Sequence, residues 1–494
     1  MKKILLTASA VLLWSGCLHA QETVTMPVED YRAIINQLQA LQKRVDVLEG
    51  QKAIAAPAVA APAGVDKKVA KLEKDVDNIY DTLDQVESKT LQDRINFGAE
   101  LRTRVDNFKM ENHTFFSDGT TGNASNDNSW SNRFRLNMDA KIRKNLLFNG
   151  RLTVYKNFSD SDYTAAPMAG DANAAHIPDN TALKLDRAYI DWIPEGMPVP
   201  LAITFGRHPS SEGPPFEMKE NRMRQSTYPA LLFDGEADGI VATVGLERYT
   251  GWKNSGVRLA YGKAYQDDDD INAYLDKPGG LDDANVYAAF FETEIPCIKD
   301  SLLVVSGLRA NNLVADFRTA IPNLTGAANI GDMDLYGIHA QANNIADSGF
   351  DFFISTGLNK SHPNGQTITY GATPMGLLNG DGTTSHTGWA VYAGTRYTIA
   401  SSRFNNPKLG FEYNHGSDYW FSFTQGSTEL FNKLATRGNA YDVYYLQPFN
   451  DNLYMRVGYT FIDYDYSLSA FQVGDFGTSD EELRNAYLLL NARF

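Results

Sequence analysis

The chain ends Arg484-Asn485-Ala486-Tyr487-Leu488-Leu489-Leu490-Asn491-Ala492-Arg493-Phe494, and the reading of this stretch decides the fold. Ala486, Leu488, Leu490, Ala492 and Phe494 share one parity, while Asn485, Leu489, Asn491 and Arg493 hold the other, with Arg484 beside them. A period of two is the period of a β-strand, whose side chains alternate between the two faces of a sheet. One face here is apolar and the other mixed. The strand runs to the last residue, whereas chain ends usually fray unless a sheet ties them down.

The same pattern recurs upstream. Alternating segments fall at 95–106, 132–144, 147–158, 183–193, 200–208, 237–248, 255–265, 284–295, 301–311, 333–343, 348–358, 388–399, 407–415, 439–447, 452–464 and 484–494. The connections between them alternate in length. Asn145-Leu146, Pro194 to Val199, Pro296 to Asp300 and Pro448 to Asp451 are short, whereas 107–131, 159–182, 209–236, 359–387 and 416–438 are long. Short turns at one end and long loops at the other suit a membrane barrel, and a soluble sandwich has no need of that asymmetry. No apolar run beyond the N-terminus is long enough to span a bilayer as a helix, so a spanning chain must close its strands into a barrel. The predicted fold is an all-β transmembrane antiparallel barrel of about 16 strands, an even number, preceded by a helical coiled-coil segment. The 25 tyrosines and 26 phenylalanines supply interfacial girdles, or the core of an ordinary large β protein.

Three regions follow. Residues 1–20 read as a secretory signal peptide: Lys2 and Lys3, then an apolar run from Ile4 to Trp14, then small residues up to Ala20. A rival reading is acylation at Cys17, which the bulky Trp14 disfavours. Cleavage after Ala20 would leave Cys297 alone, with no disulfide framework. Residues 21–92 carry two heptad seams, Tyr31-Ile34-Leu38-Leu41-Val45-Leu48 and Val65-Val69-Leu72-Val76-Ile79-Leu83-Val86, around an Ala/Pro linker at 53–64. They form either an intermolecular coiled coil, which would make a homotrimer, or a hairpin within one chain. Residues 93–494 are the barrel, and the head lies on the side of its first strand, the periplasm.

The alternation sorts residues by face. Phe97, Ala99, Leu101, Thr103 and Val105 of the first strand face outward, and Glu100, Arg102, Arg104 and Asp106 face the lumen. In the second strand Phe134, Leu136, Met138, Ala140 and Ile142 face outward, and Arg133, Arg135, Asn137, Asp139, Lys141 and Arg143 face inward. Arg151 and Arg187 extend this basic wall. A charge at the bilayer midplane on the lipid face costs about 2–4 kcal/mol, so these residues line the interior. They either set ion preference or pair across the lumen with the acids among them. The net charge of −15 argues against nucleic acid as a partner.

Residues 95–494 resemble the Gram-negative porin superfamily. The resemblance rests on the C-terminal aromatic, on Arg187-Ala188-Tyr189-Ile190-Asp191-Trp192 followed by Phe205-Gly206-Arg207, and on the loop after His208. With its heptad head and Gly206-Arg207-His208-Pro209 through Gly239, the chain is more closely similar to an uncharacterised family of proteobacterial outer-membrane barrels. The resemblance implies that the third outer loop, 209–236, folds inward as a constriction. Its Glu212, Glu217, Glu220, Arg222, Arg224 and Asp234 are the candidate constriction residues, and the acids among them can face the arginine wall.

The expected function is passive diffusion of small hydrophilic solutes or ions across the outer membrane, with membrane lipid and lipopolysaccharide around the barrel. The alternative is a structural barrel that holds a partner such as a cytochrome. No Cys-x-x-Cys-His occurs, so no cofactor or metal is expected in the chain itself. An enzyme is not expected. The histidines are scattered, with His339 alone on a lumen face and His415 two residues from Ser417 at a rim.

Overall fold

The computed structural model describes residues 95–114, 120–158, 181–266, 280–316, 324–425, 429–467 and 469–494. The signal peptide and both heptad seams lie outside the described residues. The strands are β1 (Ile95–Thr114), β2 (Thr121–Arg143), β3 (Leu146–Asn157), β4 (Lys184–Trp192), β5 (Leu201–His208), β6 (Ala237–Gly245), β7 (Gly256–Tyr265) and β8 (Ala284–Thr293). The second half comprises β9 (Ser301–Asp316), β10 (Ala327–Ala342), β11 (Phe350–Pro363), β12 (Thr387–Thr398), β13 (Lys408–Gly416), β14 (Gly438–Pro448), β15 (Leu453–Tyr466) and β16 (Thr478–Arg493). Each pairs antiparallel with its neighbours in sequence order, and the sixteen close into a barrel. Closure pairs Glu100 with Arg493 through Glu111 with Glu482. Phe494 exchanges two backbone hydrogen bonds with Ala99, at 2.7 and 2.9 Å, so the chain end is held in the ladder.

All sixteen expected strands are present, and the outer ends of several run further than the alternation shows. Residues 107–131, expected as a loop, are mostly a continuing β1–β2 ladder from Phe108 opposite Asn126 to Thr114 opposite Thr121. β9 and β10 likewise extend past the expected ends at 311 and 333. The reason is physical. Alternation records one apolar and one polar environment, and a ladder that projects beyond the apolar band keeps its backbone bonds without needing an apolar row.

Outward side chains form an apolar band that includes Phe97, Leu101, Phe134, Leu259, Ile338 and Leu488, all exposed. Aromatic pairs border it at both ends. Toward the long loops lie Trp130–Phe158 at 5.2 Å, Tyr261–Tyr287 at 5.3 Å and Tyr413–Tyr441 at 5.1 Å. Toward the short turns lie Phe350–Tyr397 at 4.6 Å and Trp252–Phe291 at 6.3 Å.

The lumen is filled by loops from the long-loop end. Loop 209–236 carries a five-residue helix, α1 (Phe216–Glu220), and buries Phe216, Met218, Leu231 and Leu232. Loop 417–437 buries Trp420, Phe431 and Leu434. The two join where Phe233–Asp234 pairs in parallel with Phe423–Thr424. Two lumen-facing glycines seat them. A β-carbon on Gly337 would lie 2.4 Å from Leu232, and one on Gly357 would lie 2.4 Å from the Trp420 indole. Nearer the outer end, Leu377, Leu378, Phe421, Phe471 and Val473 from three loops pack on Leu308, Leu313, Met333 and Leu335 of β9 and β10. Each such side chain contributes about 1.5–3 kcal/mol by leaving water, which holds the loops inside.

Candidate functional site

Loop 209–236 is closed at its base before it enters the barrel. Ser210 Oγ donates to Gly235 O at 2.5 Å, and Glu212 N–H donates to Asp234 Oδ1 at 2.7 Å. Asp234 therefore ties the two limbs of the loop together. At Gly213 a β-carbon would fall 1.8 Å from Tyr228 O, so only glycine lets the limbs approach this closely.

From that base the loop places charges against opposite walls. Glu212 meets Arg135 at 2.5 Å, Arg151 at 3.4 Å and Arg133 at 3.6 Å, and also pairs with Arg222 of its own loop. Glu220 pairs with Arg102 on β1 and with Arg456 on β15 at 3.1 Å, and accepts from Tyr454 Oη at 3.1 Å. Arg222 returns to Glu100 at 2.9 Å, which Arg133 holds at 2.5 Å. Burial alone would raise the Glu212 and Glu220 carboxyls. The surrounding guanidiniums, Arg135 foremost for Glu212 and Arg102 for Glu220, outweigh it and hold both well below the usual carboxylate range.

The other sequence candidates fall into place around this cluster. Arg104 is bidentate to Asp106, with a closest approach of 2.8 Å. Arg151 pairs with Asp186, and Arg187 donates to Ser211 O at 3.2 Å. Asp139 and Arg143 are exposed toward the short-turn end, and Arg143 follows a register shift that interrupts the alternation. Glu217 and Arg224 face the opposite wall. Gln341 of β10 donates to Glu217 at 2.8 Å, and Arg224 meets Glu292 of β8 at 2.6 Å. Burial pushes the Glu217 carboxyl up.

Sequence reasoning missed a second buried network. Lys219 pairs with Asp442 of β14 and with Glu429 at 2.6 Å. Lys433, from loop 417–437, pairs with Glu412 of β13 and with Asp442 at 2.9 Å. Tyr392 donates to Glu412 at 2.8 Å and Tyr487 to Asp442 at 3.1 Å. Burial would lower the Lys219 ammonium, but Asp442, Glu429 and Glu412 outweigh it and hold it above its ordinary value. The available signal was the inward parity of Glu412 and Asp442 within otherwise aromatic strands.

Among the described residues no cluster of three or more His, Cys, Asp or Glu could hold a metal ion. His339 is buried between Ser355 Oγ at 2.6 Å and Gln341 Oε1 at 2.9 Å. His415 contacts Asn439 Oδ1 at 3.0 Å, and the Ser417 hydroxyl accepts instead from Trp389 N–H at 2.9 Å.

Open space remains beside the loops. A vestibule of about 1360 Å³ opens from the short-turn end to the underside of α1. A cavity of about 540 Å³ lies near the outer ends of β5–β9, and one of about 250 Å³ lies between Arg224–Tyr228 and the wall of β5–β7.

A family model described as a protein of unknown function (DUF3373) matches residues 123–486. No curated protein matches the chain. Among solved structures, OprB of Pseudomonas putida at high pH is similar at 13% identity and a TM-score of 0.46, covering 83% of this chain and 96% of that one. OmpT of Vibrio cholerae, an outer membrane protein in its trimer form, is 10% identical at a TM-score of 0.42 and covers 81% and 99%. OmpF of Salmonella typhi, in complex with daunomycin, is 10% identical at a TM-score of 0.42 and covers 81% and 97%.

Proposed function

We propose that this chain, which belongs to the DUF3373 family of proteins of unknown function, is a porin-like outer-membrane channel for small hydrophilic solutes or ions. Its third outer loop is the constriction. Support comes first from the wall: a closed antiparallel barrel with an outward apolar band, aromatic borders at both ends and an inward row of charged residues. A closed barrel leaves no unpaired edge in lipid, and its polar lumen admits water. Lipid and lipopolysaccharide would cover the exposed apolar band.

The observation that carries the reading is loop 209–236 itself. It enters the lumen and is anchored by Glu212, Glu220, Lys219 and Arg224 to strands on opposite sides of the barrel. A loop that only decorated the surface would not place a fully buried lysine against β14. Solutes would diffuse through the space the loops leave, under the field of the charges that remain unneutralised. The described loops inside the barrel occupy space that a second folded protein would need, which disfavours the scaffold alternative. The heptad head at 21–92 would join copies of the chain as a trimer.

The test is single-channel recording of the purified full chain in a planar bilayer. Stepwise conductance is expected. A folded barrel that passes no current at any voltage removes the channel reading.

A further inference from the structure

We infer that solutes cross this barrel by an off-axis passage along β5–β8, and that Arg224 and Arg258 make it a passage for small anions. The inference rests on the channel reading and adds to it a route and a selectivity.

The three cavities adjoin in series. The vestibule and the 250 Å³ neck share Arg224, Thr243 and Arg258 as lining residues. The neck and the 540 Å³ outer cavity share His208 and Tyr228. This chain of spaces runs from the short turns to the outer rim along one wall. Between the neck and the outer cavity stands the aromatic group of His208, Tyr228 and Phe290, with the other two ring centroids 5.8 and 4.7 Å from that of Tyr228.

The charge of the neck is one-sided. Its lining holds Arg224 and Arg258, several hydroxyls including Thr204 and Thr243, and no carboxylate. Glu292, just below, accepts from both guanidiniums, from Arg224 at 2.6 Å and from Arg258 at 2.7 Å. Two positive charges therefore contact one carboxylate directly, and Glu217 of the vestibule is the other acid within electrostatic reach of Arg224. Arg224 Nη1 is buried and hydrogen-bonds nothing among the described residues. Two guanidiniums beside a narrow slot with low-dielectric walls raise the local concentration of anions.

The mouths are balanced by comparison. The vestibule also holds Glu217, Glu247, Glu294 and Asp300 against Arg222, Arg248, Arg396 and Lys408. At the outer cavity Arg207 pairs with Asp238 at 2.6 Å and Lys263 pairs with Asp283. The buried arginines of β1–β3 line none of the three cavities, and each contacts a carboxylate: Arg102 with Glu220, Arg104 with Asp106, Arg133 with Glu100, Arg135 with Glu212 and Arg151 with Asp186. The selectivity thus sits on the wall opposite the arginine ladder.

The test is the reversal potential of the full chain under a potassium chloride gradient. Chloride is expected to permeate in preference to potassium. The Arg224→Gln/Arg258→Gln pair should lower that preference severalfold, and Glu292→Gln should raise it. A conducting channel whose reversal potential none of these changes moves overturns the inference and leaves the channel reading standing. Thiol labelling of Thr243→Cys in folded protein separates the two failures, because it needs no current. Faster modification by a sulfonate-bearing methanethiosulfonate than by its trimethylammonium counterpart, lost in the double variant, supports the anion-selective neck. Equal rates overturn it.

Discussion

Lys219, carried into the lumen on α1, is paired with Asp442 of β14, and neither side chain is exposed to water. The contact joins residues 223 positions apart. It fixes the depth of loop 209–236, because once inside the ammonium depends on Asp442 together with Glu429 in place of water.

Replacing Lys219 with Met should therefore loosen the loop rather than unfold the barrel. Asp442, Glu429 and Glu412 would be left with Lys433 as their nearest ammonium. Leaving a buried charge without its partner costs about 3–5 kcal/mol, and Lys433 places this case toward the lower end. The expected outcome is larger and noisier single-channel conductance, with new protease sensitivity between residues 209 and 236. Unchanged conductance and unchanged cleavage would show that the pair does not hold the loop.

Gly357 and Trp420 give a packing test. A β-carbon at Gly357 would meet the indole at 2.4 Å, so a larger residue must displace Trp420 from its seat and from its bond to Leu434 O, 2.9 Å long. Overpacking of this kind costs about 1–3 kcal/mol. Gly357→Leu should shift part of the tryptophan emission to longer wavelength, and the shift should vanish when Trp420 is replaced by Phe. Gly477→Ala, where nothing lies within 4 Å, should leave the spectrum of the parent.

The pH response follows from the loop carboxyls. Glu212 and Glu220 are held well below the ordinary glutamate value of 4.5. A carboxyl with a depressed folded pKa contributes stability that is present above its unfolded value and lost as pH falls through the folded one. Their anchoring thus persists through mild acid and fails only in strong acid. Glu217, pushed up by burial, acts in the opposite sense: its cost at neutral pH is relieved as pH falls. Conductance should stay constant from neutral pH to about pH 4.5, near the ordinary glutamate value, and rise only below that. A rise between pH 7 and 5 would contradict the assignment of Glu212 and Glu220 as the anchors.

Much of this was legible in the sequence, for reasons that also mark where legibility ends. Phe97, Leu101 and Phe134 alternate with Arg102, Arg133 and Arg135 because one row meets an apolar surface and the other a polar lumen. Beyond that surface the constraint disappears, so the ladder through Phe108–Thr114 reads as a loop. Glu212 and Glu220 were readable as partners for arginines because their sign and loop position suffice. Lys219 was not, since its partners Asp442 and Glu429 come from other segments and no local pattern links them. The inward folding of loop 417–437 was missed for the same reason. Trp420 fits only against glycines on β11 and β13, Gly357 and Gly416, which mark nothing until the barrel is closed.

Two arginines of the barrel test whether burial or charge count governs these pairs. Arg484, at the outer rim, contacts Glu111 at 3.2 Å and Glu482 at 2.5 Å with its side chain 41% exposed. Water solvates and screens such a pair, and exposed pairs contribute about 0–1 kcal/mol. Arg102 also contacts two carboxylates, Glu220 and, at 3.8 Å, Glu100, but its side chain is only 4% exposed. Its removal strands buried charge, at a cost of about 3–5 kcal/mol. Arg484→Met should leave the urea midpoint of the folded barrel in micelles nearly unchanged, whereas Arg102→Met should lower it clearly. Equal shifts would mean that water reaches the Glu220 cluster, and the arginine wall would then belong to the solute path after all.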